Sequence, residues 1–92
     1  MSPDTAAARG GLTLLTRADC GLCEQMLQEL AALRLRHALP PLTLLDVDSD
    51  PELQRRWGLK IPVLLLDAIP VCNARLDAPA LLRALRDRPG AA

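Results

Sequence analysis

Leu12-Thr13-Leu14-Leu15-Thr16-Arg17-Ala18-Asp19-Cys20-Gly21-Leu22-Cys23 is the stretch on which the reading of this chain turns. Its first five residues are apolar or β-branched and are bounded by the polar Arg17-Ala18-Asp19, which predicts a buried strand over 12–16. A helical pattern follows the two cysteines. Leu22, Met26, Leu30 and Leu33 recur at helical spacing, Leu27 widens the stripe, and Gln25, Gln28 and Glu29 face outward. The helix is expected to start near Cys20 and to fade around His37, because Pro40-Pro41 cannot continue it. The spacing therefore places a Cys-x-x-Cys pair at a strand-to-helix junction.

Beyond this unit, Leu42-Thr43-Leu44-Leu45-Asp46-Val47 reads as a second buried strand. Two such strands separated by a helical length predict a right-handed βαβ unit with a parallel pair. A short helix follows, opened either by a Ser49/Glu52 capping box or by Asp50 with Pro51 in the first helical position. Leu53 and Trp57 stack at i, i+4 within it, and Gly58 is expected to supply a left-handed stop. Residues 61–66 and 69–72 flank Asp67-Ala68 and predict a hairpin, in which a two-residue turn sets Cys72 opposite Val63. Asp77 caps a final helix with Leu81, Leu82 and Leu85 inward and Arg83, Arg86 and Arg88 toward its C-terminal end. The expected order is β-α-β-α-β-β-α over residues 11–88, with a flexible tail at 1–10 and another at 89–92.

Composition narrows the function classes. A chain of 92 residues has room for one core. Its 11 Lys+Arg balance 11 Asp+Glu, which argues against nucleic acid or an acidic membrane as partner, since both demand a basic excess. Trp57 is the only aromatic residue and leucine supplies 21 positions, so the core is aliphatic and no stacking platform for bases is expected. The longest apolar run, Val63–Leu66, is far short of the roughly 18 residues needed to cross a bilayer. Met1–Arg9 has no hydrophobic core and does not read as a secretory signal, so a cytoplasmic protein with reduced thiols is expected.

A Cys-x-x-Cys pair in a reducing compartment is either half of a zinc site or a redox dithiol. Completing a zinc site would need Cys72 and His37, but His37 lies about 21 Å along the helix from Cys23 at 1.5 Å per residue. The aspartates at 46, 48 and 50 do not make a calcium loop, which wants glycine where Pro51 stands and glutamate where Trp57 stands. They are read as strand-ending and helix-capping groups. For redox chemistry the placement is apt. The Cys20 sulfur can face unpaired N–H groups at the helix start, which favour the thiolate, while Cys23 sits one turn later and more shielded. Arg17 should favour the thiolate, and Asp19 and Glu24 should oppose it. Pro62 opens a strand, an awkward place for proline that a cis Ile61–Pro62 bond would explain. Cys72 is read as a small buried apolar residue on a strand.

Taken together, Leu14-Leu15-Thr16-Arg17, Cys20-Gly21-Leu22-Cys23-Glu24, Asp46-Val47-Asp48, Asp50-Pro51-Glu52-Leu53, Trp57-Gly58 and Ile61-Pro62-Val63-Leu64 resemble small bacterial glutaredoxin-like proteins of the thioredoxin superfamily. The resemblance implies an α/β thioredoxin-like fold with a four-stranded mixed sheet flanked by helices. It implies Cys20 as nucleophile and Cys23 as resolving cysteine of a thiol–disulfide oxidoreductase, with no metal and no tightly bound cofactor. The substrate-binding set it implies is Arg17, Gly21, Leu22, Ile61, Pro62 and Asp77. In that set Ile61-Pro62 offers backbone to a bound cysteinyl peptide, and Arg17 lies near the basic residue that meets a glutathione carboxylate. The implied partners are a disulfide-containing protein or a glutathione mixed disulfide, with glutathione or thioredoxin reductase as reductant. The chain departs from glutaredoxins in having Leu22 for the usual aromatic, and Asn73-Ala74-Arg75-Leu76-Asp77 where Gly-Gly and a polar pair are usual. Two further readings follow from the same resemblance: a glutathione-dependent iron–sulfur cluster carrier, compatible with Gly21-Leu22, and a non-catalytic adaptor.

Overall fold

The computed structural model describes residues 11–88; the tails expected at 1–10 and 89–92 lie outside the described residues. The elements are β1 (Leu12–Thr16), α1 (Gly21–Arg34), β2 (Leu42–Asp46), a 3-10 turn (Val47–Ser49), α2 (Pro51–Trp57), β3 (Val63–Leu66), β4 (Ile69–Asn73) and α3 (Ala78–Asp87). This is the expected order, with the 3-10 turn added. Strands lie in the order β2-β1-β3-β4. The β1–β2 pair is parallel, and the β1–β3 and β3–β4 pairs are antiparallel. No helix among the described residues is long and apolar enough to cross a membrane.

The two central strands explain the densest apolar runs, because each is covered on both faces. On one face Leu12 and Leu14 of β1 and Leu64 and Leu66 of β3 join Met26 and Leu30 of α1 and Leu81 of α3 in a single buried cluster. Full burial of each such side chain contributes about 1.5–3 kcal/mol before chain entropy is charged against it. On the opposite face Thr13, Leu15, Leu45 and Leu65 of the sheet line one cavity together with Leu53 and Trp57 of α2. Trp57 is half-buried there, with the Arg56 guanidinium 5.0 Å and the Lys60 ammonium 5.8 Å from its ring centroid.

The caps work largely as expected. Asp50 accepts from Glu52 N–H at 2.8 Å to open α2, while Ser49 donates to the Asp46 carbonyl instead of capping. Asp77 accepts from Ala80 N–H at 3.0 Å to open α3. The end of α1 is set by Arg34, whose Nη1 and Nη2 each donate at 2.8 Å to the carbonyls of Leu39 and Pro40 and fold the chain back toward the sheet.

Four expectations need correction. β2 is not a buried strand: it pairs only with β1 at the sheet edge, and Leu44 is 53% exposed. The inward stripe of α1 runs Cys23, Met26, Leu30, and Leu22 lies off it at 43% exposure. Gly58 has φ −56° and is right-handed, so it does not close α2 with a left-handed residue. Finally, Cys72 stands opposite Leu64, and Asn73 takes the place across from Val63. The cause of the last is a bulge. Leu65 pairs with Pro70 and Leu64 with Cys72, so Val71 is an extra residue in β4. Proline has no N–H for the ladder, and the register slips where it stands. Directly opposed residues share a face, so the slip turns Cys72 to the side of Leu64 and the main cluster, against which it packs.

The hairpin turn has both central residues left-handed, Asp67 at φ 52° and Ala68 at φ 71°. That is the backbone a two-residue hairpin requires, and alanine is a poor residue for it. The turn is held from outside: Asp67 N–H donates to the Gly11 carbonyl at 3.0 Å, and Arg88 Nε and Nη2 donate to the Asp67 carboxylate at 3.0 and 2.9 Å. Ala68→Gly removes the Cβ penalty without touching these bonds. It is expected to stabilise the domain by about 1 kcal/mol, raising Tm by about 4–8 °C in a chain of this size. Thermal denaturation followed by circular dichroism checks this, and an unchanged or lowered Tm would show that Ala68 carries no such penalty.

Candidate active site

Three strand pairings bring the site together at one end of the sheet. Leu15 of β1 stands opposite Val63, so β3 begins where β1 ends. Thr16 stands beside Asp46, so β2 ends there too, and Asn73 at the end of β4 stands opposite Val63. The loop carrying Arg17 and Cys20, the 3-10 turn after β2, the Ile61-Pro62 segment and the loop leading to Asp77 all leave from this end. Arg17, Cys20, Ile61, Pro62 and Asp77 lie on or at the end of these segments, and Gly21, Leu22 and Cys23 form the first turn of α1 that follows directly.

The cysteine pair follows from how α1 begins. Asp19 is left-handed (φ 58°), a conformation aspartate tolerates, and Cys20 is extended at the N-cap position. The Cys20 sulfur accepts the Cys23 N–H at 3.2 Å, taking the part a serine or aspartate oxygen plays at other helix starts. Cys20 and Cys23 form a disulfide with Cα atoms 5.2 Å apart. The two sulfurs differ in access: Cys20 is half-buried, and Cys23 is buried on the inward stripe of α1. Gly21 and Leu22 between them are exposed, and a Cβ built on Gly21 would meet nothing within 4 Å. The residue that follows Cys20 thus stands in open space.

The Ile61–Pro62 bond is cis, as expected. Pro62 is buried and Ile61 half-buried, and the Pro62 carbonyl accepts from Ala74 N–H at 2.8 Å. Ala74 is itself left-handed (φ 68°), a conformation glycine adopts without penalty. Asp77 is exposed, and its carboxylate is occupied by the cap of α3.

Arg17 is held by two partners that the sequence did not disclose. Its Nε and Nη2 donate to Asp48 Oδ2 and Oδ1 at 2.7 and 2.9 Å, and its Nη1 donates to the Gly58 carbonyl at 3.1 Å. The hydrogen bonds between Arg17 and Asp48 raise the Arg17 pKa and hold the Asp48 carboxyl below the usual carboxylate range. For Asp48 the sign is that of a depressed acid. The pair is intact above the ordinary carboxylate pKa and is lost only as pH falls through the lowered folded value. Gly58 also explains its own residue type. An added Cβ would overlap the Gln54 carbonyl oxygen and stand 3.3 Å from Arg17 Nη2, so glycine is needed for close approach rather than for a positive φ.

Cys72, the free cysteine among the described residues, is half-buried against the main cluster. Burial pushes its thiol pKa up, the backbone N–H of Asp77 opposes this, and the Asp77 carboxylate adds to the rise.

A family model described as a glutaredoxin-like domain (DUF836) matches residues 11–86. Among curated proteins the chain is similar to uncharacterized proteins of Mycobacterium bovis and Mycobacterium tuberculosis, each 35% identical over 65 residues. That match covers 65% of this chain and 66% of each relative, so the chain spans just under two thirds of their length. Among solved structures, the solution NMR structure of protein Ne2328 from Nitrosomonas europaea superposes with a TM-score of 0.72 at 25% identity. It covers 79% of this chain and 87% of that one. The mixed four-stranded sheet with three helices is thus a thioredoxin-like fold, as the sequence led one to expect.

The raised pKa of Cys72 has a measurable consequence. With Cys20–Cys23 oxidised, iodoacetamide at pH 8 is expected to alkylate Cys72 about tenfold more slowly than an unfolded cysteine, and urea should abolish the difference. By linkage, the stability gained from keeping this thiol neutral is present below the ordinary thiol pKa and lost as pH rises through the folded value. Alkylation at the free-cysteine rate, read by mass spectrometry, would refute the assignment.

Proposed function

Because this chain belongs to the glutaredoxin-like domain family, we propose that it is a thiol–disulfide oxidoreductase in which Cys20 attacks and Cys23 resolves. The observation that carries this reading is the asymmetry of the pair. The Cys20 sulfur accepts an N–H at the start of α1, and Cys20 is half-buried beside the exposed Gly21, while Cys23 is buried one turn behind it. Donors and the positive end of the helix favour negative charge on Cys20, and the thiolate is the attacking form.

In the cycle, the Cys20 thiolate attacks one sulfur of a substrate disulfide, forming a mixed disulfide and expelling the other sulfur as a thiolate. Cys23, after losing its proton, attacks the Cys20 sulfur, closes the Cys20–Cys23 disulfide and releases the second substrate thiolate. Two electrons pass from the dithiol to the substrate. The buried position of Cys23 delays its reaction until the mixed disulfide holds the electrophilic sulfur beside it. Ile61-Pro62 sits at the same end of the sheet and offers backbone to a bound cysteinyl segment, and the exposed Leu22 flanks the nucleophile. The substrate is a protein disulfide or a glutathione mixed disulfide. Glutathione or thioredoxin reductase restores the dithiol, and this cycle suits a reducing compartment such as the cytoplasm.

Cys20→Ser is expected to reduce disulfide-exchange activity to the uncatalysed rate. Cys23→Ser is expected to accumulate a mixed disulfide at Cys20 that mass spectrometry detects. Coupling the assay in turn to glutathione with glutathione reductase, and to thioredoxin reductase, identifies the reductant. Full activity in Cys20→Ser, or a Cys20–Cys23 pair that no cellular thiol couple can oxidise or reduce, would defeat the proposal.

A further inference from the structure

We propose that Arg17 is a positioning residue, a clasp that ties the loop bearing Cys20 to the segment bearing Ile61-Pro62, and that it does not serve as the cation for a substrate carboxylate. The inference rests on the oxidoreductase reading above and adds to it how the two halves of the site are kept in register.

Arg17 lies in the three-residue link between β1 and Cys20, so whatever fixes its guanidinium also restrains the approach to α1. Its partners belong to two other segments. Asp48 is in the 3-10 turn that follows β2, and Gly58 closes α2, with only Leu59 and Lys60 between it and Ile61. The Arg17–Asp48 contact is bidentate, so it sets the orientation of the guanidinium plane as well as its distance. The third bond, to the Gly58 carbonyl, uses a nitrogen the carboxylate leaves free. Asp48 is itself steadied by Gln54 Nε2, which donates to Oδ1 at 3.0 Å from within α2. From Gly58 the path continues through bonded backbone. Lys60 N–H donates to the Trp57 carbonyl at 2.8 Å, Asn73 Nδ2 donates to the Lys60 carbonyl at 3.4 Å, and Ala74 N–H donates to the Pro62 carbonyl at 2.8 Å.

Two features favour a clasp over a substrate contact. Three of the five guanidinium N–H groups, one on each nitrogen, are committed to Asp48 and Gly58, so the plane and position of the group are set by the protein itself before any substrate arrives. Gly58 has no room for a Cβ, first because of the Gln54 carbonyl and then because Arg17 Nη2 would stand 3.3 Å away, so its bare backbone leaves the guanidinium space to lie close. The pair is also half-exposed, with side-chain exposures of 36% and 36%, where an isolated ion pair adds little to global stability. Its effect is expected in the geometry of the site and not in the melting temperature.

Arg17→Met, Arg17→Lys and Asp48→Asn separate the two roles. A clasp depends on the planar fork, so lysine should fail like methionine even though it keeps the charge. Each of the three variants is expected to lower kcat/KM about five- to tenfold, equally for a protein disulfide and for a glutathione mixed disulfide. The Arg17→Met/Asp48→Asn double variant should be no worse than either single one, because both remove the same contact. If Arg17 instead binds a glutathione carboxylate, Asp48→Asn frees it and lowers KM for the glutathione substrate, and Arg17→Lys retains most of the activity; either result overturns the clasp. Should the parent chain show no exchange in any assay, the oxidoreductase reading fails by itself. The clasp is then judged from the rate at which dithiothreitol reduces Cys20–Cys23. That rate is expected to rise at least threefold in Arg17→Met and Asp48→Asn alike, and an unchanged rate in both overturns it.

Discussion

The antiparallel register of β1 against β3 is the constraint on which the rest of this domain depends. Pairing Leu12 with Leu66 and Leu15 with Val63 places the end of one strand against the start of the other. The Cys-x-x-Cys pair that follows β1 is thereby brought to the end of the sheet where the segment preceding β3 lies, although some forty residues of chain separate them. The register is secured by burial. Leu12, Leu14, Leu64 and Leu66 point into one cluster, and a one-residue slip would turn this set to the opposite face. The leucine-rich, nearly aromatic-free composition is therefore the material of a pleated aliphatic core whose order determines which loops meet.

Within that frame, the beginning of α1 decides the chemistry available. A cysteine at an N-cap is both a structural cap and a reactive group, because the donor that satisfies the helix end also favours negative charge on sulfur. The helical turn that follows carries Cys23 onto the buried stripe next to Met26, where it pairs with Cys20. Leu22, displaced from that stripe, becomes part of the exposed rim.

The polar contacts around this end of the sheet tie otherwise independent segments together. Arg17, Asp48 and Gly58 come from three separate loops, and Asn73 and Ala74 bond to the stretch around Pro62 from a fourth. At the opposite end, Arg88 and Gly11 secure the hairpin turn at Asp67 in the same fashion. Each end of the sheet is closed by hydrogen bonds to loops, while the middle is held by leucine packing.

The sequence by itself determined the order of elements, the Cys-x-x-Cys pair at a strand-to-helix junction, the cis Ile61–Pro62 bond and the capping role of Asp77, and it narrowed the cap of α2 to Asp50 or a Ser49/Glu52 box. These rest on neighbours within about four residues, where periodicity, side-chain capping and proline geometry act. Only the tertiary structure decided that β2 is an exposed edge, that Cys23 and not Leu22 faces inward, and that the bulge at Pro70-Val71 sets Cys72 against Leu64. It also decided that Arg17 is bound 31 residues away by Asp48 and 41 away by Gly58. Which strand lies at an edge, and which carboxylate meets a given guanidinium, depend on how distant segments pack, and local pattern carries no record of that.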